Sequence, residues 1–445
     1  MYFFHFLLPF LFPIYAFPFF ISTIKMRRQI KMGQKDFLEK INGFYGLIGP
    51  NIERKETKSI YDLFMGNGIV QGVFIKNGSI TYIKQEVETD KFKMEDHYWR
   101  KPIPILPIPN MLGVANTAFF HFKNKTYALF ERDLPYVIDI DFDKQKMNTL
   151  GKCEIEDITH FSAHPKIRFS DDYSYVETID YDILQKKVKV YQLDPYFRIL
   201  STMQIPIKYA SMVHDFISTP NSIILLNSPF MADIHLLPHF SAKLKLDVTR
   251  SSIFYVVERE NNRIERYYTN EGIYIFHYTD VYETEKEITI YAPVHLSLDF
   301  SKLEIKGKYR KLVLNKQTRT VKIEQNPELE KWNVEFPVPF YHENKKKIMM
   351  RYVDESNWLN TGFIICHQLE IERRICFQGK CICGEPSIIN MDDTDDPYAL
   401  FFTIDKTDTG YFNILNLVTE ENVEITINEK MKIGFHSLFL PNPKI

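Results

Sequence analysis

The stretch Gly72-Val-Phe-Ile-Lys-Asn-Gly-Ser-Ile-Thr-Tyr-Ile83 predicts two short β-strands joined by a tight turn. Apolar and polar side chains alternate within it, as they do in strands that bury one face. Asn and Gly both tolerate positive φ, so Asn77-Gly78 indicates the type I′ turn of a β-hairpin. We therefore expect a β-hairpin here, and the rest of the chain follows the same pattern.

Short apolar runs broken by turn residues recur to the C-terminus, for example Lys125-Thr-Tyr-Ala-Leu-Phe-Glu131. Beyond a short helix expected over residues 34–41, few stretches have the 3.6-residue period of a helix. This pattern predicts an all-β fold. A β-propeller is favoured, because radial repetition leaves few exposed sheet edges. Two stacked β-sandwich domains are the rival architecture.

Four of the 13 histidines have separations that fit a ring of repeats. They are His164, His214, His277 and His436, and they lie 50, 63 and 159 residues apart. Because 159 is three times 53, the spacing fits one histidine per repeat, with two repeats skipped before the last. About 400 residues in such repeats make about seven blades, within the usual four to eight. Imidazoles that converge from successive blades would form a metal site on the propeller axis.

Three glutamates in apolar contexts are candidate partners for these histidines: Glu131, Glu335 and Glu385. A bare carboxylate is costly among apolar residues, and a metal-bound imidazole normally donates its second N–H to a carboxylate or carbonyl. Which glutamate pairs with which histidine stays open. Four neutral nitrogen donors suit a borderline divalent ion, namely iron, copper or zinc.

The charge balance is nearly even, with 55 basic and 57 acidic side chains and a formal net charge of -2. No basic stripe is present, so we set nucleic acid aside as a partner. Aromatic residues make up 15% of the chain, enough to build a large core and to line an apolar cavity.

The first 24 residues carry no formally charged side chain, and five basic residues follow between Lys25 and Lys35. The run is long enough to span a bilayer, but Pro9, Pro13 and Pro18 would interrupt a helix. We divide the chain into residues 1–25, a membrane-associated segment or an upstream extension, and residues 26–445, the propeller. The basic flank favours a cytoplasmic location with membrane association. The apolar, proline-rich residues 102–109 would cover the core or touch the membrane.

Five cysteines, three of them clustered at Cys376, Cys381 and Cys383, lack the spacing of a secreted scaffold. A hairpin turn would place Cys376 opposite Cys381, where a disulfide would form. A zinc site there would need Cys366 or His367 as well. Reduced thiols in a cytosolic protein are the simpler interpretation.

These blocks together resemble the carotenoid cleavage oxygenases, the family of carotenoid, apocarotenoid and stilbene dioxygenases and retinoid isomerohydrolases. The likeness extends from Gly43 to His436. The matching blocks are Gly43–Asn51, Leu63–Gly72, Ala115–Ala118, Ser162–Lys166, Met212–Phe216, His277–Glu283 and Gly434–His436.

The resemblance implies a seven-bladed propeller with Fe(II) held by His164, His214, His277 and His436. It also implies that Glu131, Glu335 and Glu385 accept hydrogen bonds from three of those histidines. The implied reaction uses O2 to cleave a carbon–carbon double bond of an apolar polyene or stilbene into two carbonyl products. No catalytic side chain beyond the metal ligands is implied. A non-oxidative isomerohydrolase and a metal-stabilised propeller that binds apolar ligands without turnover are the alternatives.

The chain departs from the family pattern at positions beside the expected ligands. Asp280 stands where Asn is usual, Ser437 where Gly follows the last histidine, and Gln71 where His is common. The family's Arg before Gly-Pro-Asn is missing, and Leu47-Ile48 stands there instead. Met65-Gly-Asn-Gly68 replaces the common Asp-Gly-Asp-Gly. None of these changes removes an expected ligand, but they bear on which alkene is the substrate.

Overall fold

The computed structural model describes residues 38–95, 113–170, 173–232, 244–354, 356–391 and 394–443. Seven antiparallel sheets in this part of the chain form the seven blades of a β-propeller, as predicted. The rival arrangement of two stacked β-sandwiches is therefore wrong. Residues 1–37 and 96–112 lie outside the described residues. They include the apolar N-terminal run, the first half of the helix expected over 34–41 and the 102–109 segment. In the second half of that helix, Leu38 and Glu39 are helical.

Blade 1 contains β4 (Ala118–Phe122), β5 (Lys125–Leu129), β6 (Tyr136–Asp141) and β7 (Lys146–Lys152). Blade 2 contains β8 (Lys166–Phe169), β9 (Ser174–Asp182), β10 (Lys187–Leu193) and β11 (Ile199–Pro206). Blade 3 contains β12 (Ile217–Ser218), β13 (Ser222–Asn227), β16 (Ile253–Glu258) and β17 (Ile264–Tyr268). A small separate sheet pairs β14 (Phe230–Ala232) with β15 (Leu244–Leu246).

Blade 4 contains β18 (Asp280–Glu283), β19 (Glu287–His295), β20 (Gly307–Asn315) and β21 (Val321–Gln325). Blade 5 contains β22 (Asn333–His342), β23 (Lys345–Asp354), β24 (Asn357–His367) and β25 (Glu370–Phe377). Blade 6 contains β26 (Cys381–Ile382), β27 (Ser387–Met391), β28 (Thr394–Ile404), β29 (Thr409–Asn416) and β30 (Asn422–Lys430).

Blade 7 joins the two ends of the described chain. Its strands are β1 (Gly43–Pro50), β2 (Gly68–Lys76), β3 (Ser79–Glu86) and β31 (Ser437–Pro441). The late strand β31 pairs with the early strand β1, from Gly43 opposite Pro441 to Leu47 opposite Ser437. Strand pairing between distant parts of the sequence therefore closes the ring.

The hairpin expected at residues 72–83 is confirmed as β2 and β3. Its turn residues Asn77 and Gly78 have φ of 50° and 71°, so both adopt the left-handed region that a type I′ turn requires.

The apolar core lies between neighbouring blades. One cluster joins Phe254 and Val256 of blade 3 to Ile290 and Leu312 of blade 4. Because each sheet packs on both faces, middle strands such as β13 are buried at every position. The outer edge strand β11 is mostly exposed. Continuous apolar strands in this chain thus mark the middle of a blade, where neither face meets water.

Two short helices, α1 (Ile60–Met65) and α2 (Asp90–Glu95), interrupt the β-structure, together with 3-10 turns at Arg54–Glu56 and Leu329–Lys331. Ser59 and Asp62 form a capping box at the start of α1. The side-chain amide of Asn116 donates to carbonyls at the end of the same helix. None of the helices in the described ranges has the length and apolar content needed to cross a bilayer.

All five cysteines are unpaired, which excludes the disulfide considered between Cys376 and Cys381. The turn between them does not form a hairpin, because β25 belongs to blade 5 and β26 to blade 6. Cys376 is exposed whereas Cys381 is buried, so the chain crosses here from the outer edge of one blade into the next.

Candidate metal centre

Four blades each present one histidine just before an edge strand. His164 precedes β8 in blade 2, His214 precedes β12 in blade 3, His277 precedes β18 in blade 4, and His436 precedes β31 in blade 7. Blades 5 and 6 contribute none of the four, which agrees with the two repeats skipped in the sequence spacing. Each of these four blades thus presents its imidazole from the loop that leads into its edge strand.

The four imidazoles meet at one place: their nearest nitrogens all lie within 4.8 Å of one another. Nε2 of His164 is 3.0 Å from Nε2 of His214, and Nε2 of His277 is 3.1 Å from Nε2 of His436. Two nitrogens bound at right angles to one ion at about 2.1 Å are about 3 Å apart. The spacing is that of a ligand set.

Three of the imidazoles contact the three glutamates expected to support them. Glu131 lies 2.9 Å from Nδ1 of His214, Glu335 lies 2.7 Å from Nδ1 of His277, and Glu385 lies 3.2 Å from Nδ1 of His436. These contacts give the pairing that the sequence left open.

Burial and mutual contact shift the ionisation of these groups. Burial alone would raise the pKa of Glu131 and of Glu335, but the His214 and His277 imidazoles lower both below the usual range. Burial lowers the pKa of His164 well below its usual value, and the neighbouring imidazoles lower it further. Glu131 and Glu335 are therefore carboxylates that accept hydrogen bonds from the imidazoles, and His164 is neutral.

The hydrogen-bond pattern points lone pairs of the imidazoles at one another, where a cation would satisfy them. When Nδ1 of His277 and His436 donate to carboxylates, the Nε2 atoms of both rings carry lone pairs and no hydrogen. In those tautomers the two Nε2 atoms, 3.1 Å apart, have no hydrogen between them. A metal ion between them would turn this repulsion into ligation, and neutral imidazoles suit iron, copper or zinc. The residues present therefore fit a resident metal.

His295 joins this network although the sequence analysis did not select it. Its Nε2 is 2.6 Å from Oε1 of Glu335, so two imidazoles share that carboxylate. The ring is fully buried, and Gly307 makes room for it, because a Cβ at 307 would lie 2.4 Å from the Val334 carbonyl and 3.1 Å from the ring. A histidine at the end of the apolar strand β19 was the one available signal.

Three of the positions that depart from the family pattern, Asp280, Ser437 and Gln71, have a structural partner. Asp280 forms an ion pair with Lys346 of blade 5. The Ser437 N–H donates to Glu385, and its hydroxyl lies 2.8 Å from that of Ser387. Both polar groups of the Gln71 side chain bond the backbone of Lys432. These substitutions tie strands together around the centre.

A cavity of about 500 Å³ opens beside the histidines. His214, His277 and His436 form part of its wall, with Glu335 and a Thr117 hydroxyl nearby. Most of the remaining wall is apolar; its aromatic residues are Phe64, Phe276, Phe336, Trp358 and Phe435. Leu303 and Ile305 are partly exposed and mark the side that reaches solvent. Such a volume holds a small, elongated apolar molecule.

Comparison with known proteins agrees with this architecture. Residues 39–441 match the family model of the retinal pigment epithelial membrane protein. Carotenoid 9,10(9',10')-cleavage dioxygenase 1 of Pisum sativum is 26% identical over 286 residues, which cover 56% of this chain and 51% of that protein. The 9-cis-epoxycarotenoid dioxygenase NCED2 of Oryza sativa subsp. japonica is 22% identical over 91% of this chain and 79% of its own length. The chain thus spans about half the length of the first of these relatives.

Solved structures show the same fold. An apocarotenoid oxygenase variant of Synechocystis superposes with a TM-score of 0.72 and 16% identity, over 91% of this chain and 93% of that one. Lignostilbene dioxygenase of Pseudomonas brassicacearum gives the same TM-score, identity and coverage. At such identity, the likeness establishes the propeller and leaves the chemistry to the site itself.

Proposed function

Since the chain belongs to the family of the retinal pigment epithelial membrane protein and the carotenoid cleavage dioxygenases, we propose that it is an Fe(II)-dependent dioxygenase. Its substrate is an apolar polyene, such as a carotenoid or apocarotenoid, or a stilbene-like alkene. One O2 molecule supplies both oxygen atoms of the two carbonyl products, so the cleavage of one carbon–carbon double bond balances.

The observation that carries this proposal is the meeting of four imidazoles, three of them held by carboxylates, at the wall of an apolar cavity. His164, His214, His277 and His436 would hold the metal through their inward nitrogens. Glu131, Glu335 and Glu385 fix the tautomer and orientation of three rings. Ligands of neutral charge leave the ion its full positive charge.

The metal supplies the redox chemistry that lets triplet O2 react with a closed-shell alkene. The side chains of the cavity orient the substrate and exclude water. Phe64, Phe276 and Phe336 exclude water and present flat apolar surfaces against which a conjugated chain lies in line with the histidines. No general base or nucleophilic side chain is required.

Metal analysis combined with an oxygen-uptake assay tests the proposal, on the reconstituted wild type and on His214→Ala. We expect about one iron per chain and O2 uptake with products from an apocarotenoid or stilbene panel in the wild type, and loss of both in the variant. His121→Ala, a histidine of β4 bonded to Thr126, is the matched control. Absence of iron from reconstituted wild type would refute the metal site, and product without O2 uptake would favour a non-oxidative reaction.

Peripheral membrane contact is a second part of the proposal, supported by the uncharged run of residues 1–24 and the apolar segment 102–109. An apolar substrate dissolves in lipid, so contact of the protein with a bilayer would let the substrate pass from the lipid to the cavity without crossing water. Replacement of Ile103, Ile105, Leu106 and Ile108 by Ser should weaken liposome binding. Unchanged liposome binding in that variant would argue against the contact of residues 102–109.

A further inference from the structure

One charged side chain in the wall of the cavity, Arg351, has no ion pair with a carboxylate among the described residues. Arg351 lies on β23 directly opposite Glu335 on β22 and lines the cavity. Its Nε is buried and has no hydrogen-bond acceptor in the described part of the chain. The one polar contact of Nη2 is the Cys381 sulfur at 3.9 Å, a weak acceptor.

Several other arginines of this chain have a carboxylate partner. Arg259 makes two hydrogen bonds to Glu177, Arg310 makes two to Glu330, and Arg319 contacts both oxygens of Glu265. Even Arg54, which also lines the cavity, pairs with Asp408 at 2.7 Å and stacks on Trp358. Arg351 has no such carboxylate partner within the described ranges. Arg168 also has a buried Nε without an acceptor there, but of these two only Arg351 lines the cavity, where an occupant would supply one.

The position of Arg351 relates it to the metal centre. The Phe336 ring lies 5.8 Å from the Arg351 guanidinium, and the same ring lies 5.8 Å from His277 and 5.5 Å from His436. One aromatic ring thus separates the cation from the histidines. A molecule bound by Arg351 at one end would run along Phe336 and place a carbon chain beside the metal site.

We propose that Arg351 binds a carboxylate carried by the alkene, so that the substrate is an apolar alkene with one terminal acid group. This inference rests on the proposed dioxygenase function and narrows its substrate class. The planar guanidinium matches a carboxylate, and the apolar wall strengthens the pair by excluding water. Because Arg54 is already neutralised by Asp408, the balance favours a monoanion over a phosphate dianion.

Binding of three probes that share one polyene tests the inference: retinoic acid, retinal and retinol. Binding to the iron-loaded protein without O2 is followed by quenching of tryptophan fluorescence, since Trp358 lines the cavity. We expect the acid to bind about tenfold to a hundredfold more tightly than the alcohol, as one charge-assisted pair provides. Arg351→Met should abolish this preference and leave retinol binding almost unchanged.

Two further variants keep the test decisive. Arg351→Lys keeps the charge if the Met variant fails to fold, and we expect it to retain only part of the preference, because lysine lacks the planar fork. Arg198→Met removes an exposed arginine paired with Asp194 and should change nothing. Equal binding of acid and alcohol by the wild type, or an acid preference unchanged in both Arg351 variants, would overturn the inference.

The outcomes separate this inference from the proposed function. O2-dependent cleavage without a preference for the acid would remove the carboxylate subsite and leave the dioxygenase standing. An acid preference lost in Arg351→Met, in a protein that shows no O2 uptake with any probe, would support the subsite and contradict the dioxygenase.

Discussion

Glu335 is the carboxylate on which two imidazoles depend. His277 approaches one of its oxygens and His295 the other, and the Phe336 N–H donates to it as well. A buried carboxylate that accepts three hydrogen bonds holds its partner ring in one orientation. His295 is therefore a positioning residue that acts on the metal centre through Glu335.

We expect His295→Phe to weaken iron binding about tenfold to a hundredfold, because one oxygen of Glu335 loses its donor. His295→Gln should restore much of the affinity, since its amide can donate to the same oxygen. Iron affinity measured by competition with a chelator checks this. His160→Phe, which breaks a buried His160–Asp180 pair in blade 2, is the control. A loss in His160→Phe equal to that in His295→Phe would assign the effect to general destabilisation.

Single residues differ in how far the sequence reveals them. The four histidines could be chosen because each has a recognisable local context and a spacing that repeats. The partner of each glutamate could not be chosen, because the 83 residues between Glu131 and His214 hold no local trace of their contact. His295 could not be found for the same reason, since its contact with Glu335 joins β19 to β22 of another blade.

At the scale of elements, a charged clamp joins blade 3 to blade 4. Glu265 and Tyr267 on β17 both contact Arg319, which lies in the turn between β20 and β21. Burial alone would raise the pKa of Glu265, but hydrogen bonds from Arg319, Tyr267 and Arg263 lower it to about 2. A carboxyl whose pKa is lowered by folding stabilises the fold above its unfolded pKa and loses that effect as pH falls.

The clamp should therefore stabilise the protein at neutral pH by an amount that falls between pH 4.5 and about 2. We expect Glu265→Gln to lower the free energy of unfolding by about 1 to 2 kcal/mol at pH 7, because charge-assisted hydrogen bonds are lost while solvent already screens part of the ion pair. The difference from wild type should shrink steadily below pH 4.5. Thermal unfolding midpoints at several pH values measure it. Glu304→Gln, at an exposed position, should show no such pH dependence, and a constant difference for Glu265→Gln would contradict the clamp.

Elements were predictable where local chemistry alone decides them. Asn77-Gly78 forms a hairpin because both residues accept positive φ whatever surrounds them. The turn after Cys376 looks similar in sequence but leads from β25 into the next blade. Whether a turn closes a hairpin or crosses between sheets depends on where the following strand finds a partner, and that is decided by distant residues.

At the scale of the whole molecule, the ring closes through one short strand. β31 holds blade 7 together by its pairing with β1, and His436 stands directly before it. The number of blades was predictable, because the histidine spacing reflects the length of the repeat. The composition of blade 7 was not, because pairing between strands nearly 400 residues apart leaves no periodic mark in the sequence.

Removal of β31 should open the ring although all four histidines remain. We expect a chain that stops after His436 to retain almost no iron after desalting, and to lose amide protection in β1, whose partner is gone. A chain that stops after Pro441 keeps the strand and should retain about one iron. Hydrogen exchange measures the amide protection of β1, and metal analysis measures the iron retained. Full iron retention without β31 would show that the centre does not depend on closure.

The order in which blades supply their histidines also has a consequence for biosynthesis. His164, His214 and His277 emerge from the ribosome first, and 159 residues separate the last of them from His436. At about 5 to 20 residues per second, the nascent chain spends roughly 10 to 30 s with only three of its imidazoles made. Three imidazoles are also the ligand set of many zinc enzymes. We therefore expect the ion that the finished protein retains to be selected when the closing strand brings His436 to the other three histidines.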